Sequence, residues 1–278
     1  MTGLSRREGA GGLMAVDVPA AEWLKLRTVR STWYVLAAVT VFVVLATVFT
    51  LYVGSLWDGL PPEGRRTLRA ARPEQIILMP VQICMAVLGV LSFTSEYATG
   101  MARTSFTVLP QRGVVLAARA AVVAAVAFTV GQASGFITFF ASRSIIGDRP
   151  IPDFTAPLSQ EFPKIVAGGL SVLVLAMVGL GAGAVLRSTA GAITAVVVYL
   201  YVIPRFVLLL PDPWNARIGS VLLEDLTAQA VGEPPVAVGL GDAAAGIGLS
   251  PPAALAVMFL YVVVALTAAA VTLARRDV

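Results

Sequence analysis

Between Trp33 and Leu56 the chain runs for 24 residues without a charge. A helix rises about 1.5 Å per residue, so roughly 20 apolar residues cross a hydrocarbon core about 30 Å thick. Inside that core the backbone has no water to bond, and a run of this length can satisfy its own N–H and C=O groups only as a helix. Five further apolar runs repeat the pattern. Spans are expected at about 33–56, 75–94, 114–140, 165–186, 190–210 and 253–274, the third built around the uncharged stretch Ala120–Phe140. The fifth needs a check, because it contains Pro204-Arg205. About a dozen Val, Ile, Leu and Phe residues, each worth roughly −0.3 to −0.6 kcal/mol on insertion, outweigh about +3 kcal/mol for one arginine. Arg205 also lies toward one end of the run, where its stem can snorkel or its charge attract an anionic headgroup.

Composition matters here chiefly for what it excludes. The chain is 58% hydrophobic and 13% charged, where a soluble domain is nearer a quarter charged. The single cysteine, Cys84, allows no internal disulfide and no cysteine metal cluster, and it sits in an apolar run as a small hydrophobe. There is no histidine, which removes HExxH zinc sites and Ser-His-Asp triads. Only two lysines occur, Lys25 and Lys164, and neither follows a glycine or precedes Ser or Thr, so the chain has no GxxxxGK[ST] phosphate loop. No acid falls inside any expected span, which argues against a proton or sodium relay. Glu8, Asp17, Glu22, Glu96 and Asp277 show no metal-binding spacing. The chain is therefore expected not to be an enzyme and to carry no cofactor or metal of its own. The net charge of +4 comes from basic residues beside apolar runs. They read as membrane orientation signals, facing lipid headgroups and not nucleic acid.

Six spans put both termini on one side. That side collects 11 basic residues against 8 on the other, with Arg205 left in the membrane. The positive-inside rule then favours cytoplasmic termini and a multi-pass protein of the cell membrane. The cluster Arg65, Arg66, Arg69 and Arg72 runs against it. Residues 1–18 have no apolar period and are expected to form a disordered tail, with Met14 a second candidate start. Pro19–Thr32 reads as a basic helix at the membrane surface, anchored by Trp23, Lys25, Arg27 and Arg30. Residues 19–278 form one transmembrane domain.

Three further stretches stand out. Gly131-Gln-Ala-Ser-Gly135 and Gly179-Leu-Gly-Ala-Gly183 let helix backbones approach closely, either within the bundle or at a dimer seam, with packing inside the bundle favoured. Trp214–Val231 places Ile218, Val221, Leu222 and Leu226 at helical spacing with Glu224 and Asp225 between them. It reads either as a lid or re-entrant element over a pathway exit, or as a surface helix covering the bundle. The third is the polar break from Glu96 to Arg112, between the second and third runs. It carries one acid, a glycine, two arginines and a proline on the side of the termini.

Glu22-Trp23-Leu24-Lys25-Leu26-Arg27-Thr28-Val29-Arg30-Ser31-Thr32-Trp33 resembles the approach to the first span in permease subunits of the type-2 (exporter) ABC transporter superfamily. Glu96-Tyr97-Ala98-Thr99-Gly100, then Arg103-Thr104, Pro110-Gln111-Arg112 and Arg119, is similar to their first cytoplasmic loop. The closing Arg275-Arg276-Asp277 is also like that family. The chain departs from the pattern at Ala102 and Phe106, usually Ile- and Leu-like, and at Arg119, where lysine is common. The resemblance implies an all-α membrane protein: a bundle of six transmembrane helices, an N-terminal interfacial helix, and a short cytoplasmic coupling helix between spans two and three. It implies a permease domain that forms a translocation pathway for export or efflux. ATP and Mg would be bound by a separate cytoplasmic ATP-binding subunit. A second permease copy, or a paralogue, would complete the assembly.

Glu96, Gly100, Met101, Arg103, Phe106, Pro110 and Arg112 would then couple the chain to the ATPase. The residues suit that task. Gly100 can end a helix, Met101, Phe106, Val108 and Leu109 can fill a groove, and Pro110 stops the segment before the next span. Glu96 and Arg103 can pair at the loop's edge or stay solvated at the headgroups. The reading from another class is an ATP-independent secondary transporter or channel. The residues do not assign a cargo, though apolar spans suit a lipophilic one.

Overall fold

The computed structural model describes residues 18–98, 112–211, 213–234 and 248–275. Regular structure among them is entirely helical. Six helices are long and apolar enough to cross a membrane: Arg30–Gly59, Pro73–Ser95, Gly113–Ile146, Leu158–Leu186, Thr189–Val207 and Pro251–Arg275. They are called spans one to six below. They match the six expected runs in order and overrun most of them, because helix hydrogen bonding continues past the point where hydrophobicity stops. Span three reaches Ile146 before Gly147, at φ +58, ends it by donating its N–H to the Arg143 carbonyl at 3.0 Å. The connection between spans three and four is thereby confined to residues 147–157. Span four starts at Leu158, seven residues earlier than expected, and carries Pro163 in its second turn, where few intrahelical bonds are forfeited.

The N-terminal helix covers 18–28 and stops short of Thr32. Val29 is extended, at φ −77 and ψ 124, and span one begins directly at Arg30. Span five is not a single α-helix. Thr189–Val197 is α-helical, Val198–Val202 is a π segment, and Ile203–Val207 is α-helical again. Pro204 explains the switch: it has no N–H to give the turn below it, and the ladder is re-registered so that the Ile203 N–H reaches the Val198 carbonyl.

Span four is the axis of the bundle. Its most apolar window is 72% buried, against 17% in span six, 22% in span one and 28% in span five. It is held by close backbone approach. A methyl group on Gly89 of span two would strike the Ala176 carbonyl oxygen, and one on Gly179 would strike that of Ala86. Gly181 lets the backbone of span six in, since a Cβ there would lie 2.7 Å from the Ala265 carbonyl oxygen. At Gly131 and Gly135 a Cβ would meet Val172 at 3.0 Å and Ile165 at 2.8 Å. Both glycine motifs thus pack inside the bundle. Met85, Val123, Val172, Met177 and Leu180 fill the centre.

Two faces follow from the contacts. The terminal face carries helix 18–28, the ends of spans two and three, and the turn at Arg187. The far face carries the other loops. There, Val53, Trp57, Ile146, Ile151 and Phe154 form a small separate core. The expected amphipathic helix over Trp214–Val231 is two short helices, Trp214–Gly219 and Leu223–Gln229, parted by an extended Leu222. Its register also differs. Leu222, Leu223 and Leu226 are buried, Ile218 and Val221 are exposed, and Asp225 is fully buried. Gln229 ties the pair together by donating to the Ser220 carbonyl at 3.0 Å and accepting from the Leu249 N–H. Tyr261 of span six donates to the Val221 carbonyl at 3.0 Å.

Candidate functional site

Each face holds a group of charged side chains. On the terminal face Glu22, in helix 18–28, is buried against Arg119 of span three. The guanidinium Nε donates to Glu22 Oε2 at 2.9 Å, Nη2 lies 3.5 Å from Oε1, and Lys25 Nζ reaches Oε1 at 2.8 Å. Arg119 also lies over the Phe93 ring of span two, 5.6 Å from its centroid. One residue pair therefore ties the N-terminal helix to span three, and a ring contact extends the tie to span two. Burial alone would raise the Glu22 pKa, but the hydrogen bonds and charges of Arg119, then Lys25, overcome it and hold the carboxyl below its usual 4.5.

Spans two and three are the helices joined by the polar break. Their ends meet the break at Glu96, in the last turn of the helix Leu78–Ala98, and at Arg112, the first residue of the helix Arg112–Ile146. Gly100, Met101, Arg103, Phe106 and Pro110, and the short coupling helix expected there, lie outside the described residues. The expected anchors Trp23, Lys25, Arg27 and Arg30 are all exposed, and Trp33 Nε1 donates to the Arg27 carbonyl at 3.0 Å across the break at Val29. On the same face spans two and five meet where Thr189 Oγ1 and Thr94 Oγ1 hydrogen bond at 2.9 Å.

The far face holds a cavity of about 460 Å³ between spans two, three, four and five and the short helix Leu223–Gln229. An ion network frames it. Arg72 Nη1 lies 2.7 Å from Glu161 Oε1, Lys164 Nζ lies 3.2 Å from the same oxygen, and Lys164 reaches Glu233 at 2.7 Å. Deeper in, Gln82 donates to Ser171 Oγ at 2.7 Å. Glu74 faces Arg143 at 3.6 Å, and Arg143 lies over the rings of Phe139 and Phe154. Outside the cavity Arg149 holds Asp58 with two bonds of 2.9 and 2.8 Å, and that carboxylate raises the Arg149 pKa above its usual value.

The helices overrun the expected spans, and the added end turns carry acids: Asp58, Glu74 and Glu161 lie outside the expected apolar runs but within helices long and apolar enough to cross. They escape a hydropathy reading because they occupy terminal turns, just outside the most apolar windows. Most of their partners are far away in sequence, 89 residues for Arg72 and Glu161 and 91 for Arg149 and Asp58, and only Lys164, three residues after Glu161, stands at a spacing a linear reading could find. The far-face basic cluster also has a structural use. Arg72 binds Glu161, and Arg65 caps span one by donating to the carbonyls of Trp57 and Asp58, both at 3.0 Å. Two sequence signals pointed toward a far-face site: the arginine cluster on the side where the positive-inside rule expects little, and the reading of Trp214–Val231 as a lid, whose second half lines the cavity. Among the described residues no cluster of metal-ligating side chains occurs.

No protein-family model matches the chain, and no curated protein matches it in sequence.

Proposed function

We propose that the chain is the membrane-spanning permease subunit of an ABC exporter, forming a translocation pathway and taking its driving force from a separate cytoplasmic ATP-binding subunit. The observation that carries this reading is the Glu22–Arg119 pair. The two residues are 97 positions apart, and each lies in one of the stretches that resemble that family. Their union binds the surface helix to the base of span three, beside the polar break. A force applied at the break is then delivered to helix 18–28 and to spans two and three together. Six spans with a cavity at the face opposite the termini suit a pathway that opens outward.

In this scheme the ATPase subunits close on ATP, the segments around Phe106 are drawn together, and the spans shift to open the far face. ATP must bind the closed arrangement better than the open one, since a ligand moves an equilibrium only by its differential affinity. The polar break must be stiff enough to convey that difference. Replacing Met101–Phe106 by a Gly-Gly-Ser linker should abolish ATP-driven transport in vesicles and release the ATPase on purification, while membrane insertion is unchanged. Undiminished transport by that variant, or wild-type transport that persists without ATP, would instead favour an ATP-independent transporter or channel.

A further inference from the structure

The charged groups that line the far-face cavity already answer one another. Arg72 and Lys164 hold Glu161, Lys164 holds Glu233, Glu74 faces Arg143, and Glu224 is exposed, so water meets its charge. A charged occupant would leave water with no buried counter-charge free to receive it. The neutral polar groups are in a different state: their donors are spent and they offer acceptors. Ser134 and Thr227 give their hydroxyl hydrogens to the carbonyls of Gly131 and Leu223, at 2.9 and 2.8 Å. Gln82, 6% exposed, donates from Nε2 to Ser171 Oγ at 2.7 Å. The orientation of that amide is fixed, because Ser171 spends its own hydrogen on the Gly168 carbonyl at 2.7 Å and can only accept from Gln82. Gln82 Oε1 is left with no donor among the described residues, and, unlike the Glu74 oxygens, it is not sealed from the cavity. Span five adds a backbone acceptor without its usual donor. In an α-helix the Tyr199 carbonyl would take the Ile203 N–H, but here that N–H goes to Val198, and Pro204 has none to replace it. Tyr199, Leu200 and Pro204 all line the cavity. An acceptor kept from water without a donor is costly, and a neutral O–H answers it at no cost in charge. The cavity of about 460 Å³ is in the range of small-molecule sites, and Ile77, Leu78, Met79 and Ile165 give it an apolar wall.

We propose that this cavity binds a compact neutral amphiphile through a hydroxyl head, its O–H donated to Gln82 Oε1 and its body held against the apolar wall. A head that only accepts would set lone pairs against lone pairs, and a charged head would be stripped of water for no opposite charge. That such an alcohol is the transported cargo rests on the exporter reading; that it binds does not.

The test uses the purified full chain in phosphatidylcholine nanodiscs, without an ATPase, and calorimetric titration with three cage compounds of one skeleton: borneol, camphor and protonated bornylamine, each corrected for its heat of partition into empty nanodiscs. Borneol should bind saturably at one site, about fivefold tighter than camphor, the order of one neutral hydrogen bond. Bornylamine should bind more weakly than borneol. Gln82→Met keeps the side-chain length, removes the acceptor and leaves Ser171 bonded to Gly168. In that variant borneol should fall to the affinity of camphor, and unchanged camphor affinity shows that the cavity is intact. The wild-type contrast decides even where the variant fails to fold. Camphor or bornylamine binding as tightly as borneol, no saturable binding beyond empty nanodiscs, or an undiminished preference for borneol in Gln82→Met would overturn the proposal. The exporter reading fails separately: borneol binding that persists where ATP drives no transport removes the exporter and leaves this site standing.

Discussion

Arg119 is 4% exposed, in the first turns of a helix whose most apolar window has a mean hydropathy of 2.2. A guanidinium so placed is tolerable only with its charge met and its donors used, and Glu22 does both. Removing one partner strands the other. Arg119→Met should therefore lower unfolding stability in detergent by about 3 kcal/mol, and the double variant Glu22→Gln, Arg119→Met should recover part of that loss. An additive double variant would show that the two residues do not interact. The pair also predicts a pH response. The Glu22 carboxyl is held below 4.5, so its stabilisation is fully present above about that pH and is lost as pH falls through the depressed value. The stability gap between wild type and Glu22→Gln should be constant near neutrality and shrink on acidification below 4.5. A gap that widened there would mean that the carboxyl is raised instead. Both residues stand in motifs visible in the sequence, but their pairing was not legible, because nothing in a linear pattern joins positions 22 and 119.

Hydropathy alone located all six spans, since the distinction between about 20 uncharged apolar residues and anything else is coarse and robust. It could not place their ends. Gly147 and the extended Val29 set ends by backbone geometry, and neither changes the local hydropathy. The π segment was hidden for a related reason: Pro204 announces a lost hydrogen bond, whereas the way neighbours absorb it depends on packing. The glycine motifs were readable as points of close approach, and the structure supplies the partners. Gly179 faces the Ala86 carbonyl oxygen, part of a rigid helix that cannot move aside. Gly179→Ala should then cost about 1–3 kcal/mol by overpacking, read as a lower unfolding temperature. Gly113→Ala is the matched control, because nothing lies within 4 Å of its Cβ position. It should be neutral or stabilising by a few tenths of a kcal/mol, since alanine costs less entropy in a helix. Equal destabilisation by the two substitutions would mean that loss of glycine itself, and not contact between spans two and four, is responsible.

At the scale of the molecule, the two faces carry different chemistry, and the exporter reading depends on which one faces the cytoplasm. The basic count favours the terminal face only modestly, 11 against 8. Several of the opposing charges have structural uses: Arg65, Arg72, Arg143, Arg149 and Lys164 are engaged with carboxylates or carbonyls of the far face. An arginine bound to a neighbouring carboxylate is a poorer orientation signal than a free one, and Arg27 and Arg30 on the terminal face are exposed. Arg66, Arg69 and Arg217 of the far face are exposed as well, and Lys25 and Arg119 of the terminal face are bound to Glu22, so labelling must decide the orientation. The prediction is direct. In a Cys84→Ala background, Thr28→Cys and Thr67→Cys each place one exposed thiol, on the terminal and the far face respectively. A membrane-impermeant maleimide added to intact cells should label Thr67→Cys and leave Thr28→Cys unreacted until the membrane is permeabilised. The reverse pattern would put the polar break outside the cell, beyond any nucleotide-driven partner, and would turn the far-face cavity into an inward-facing site.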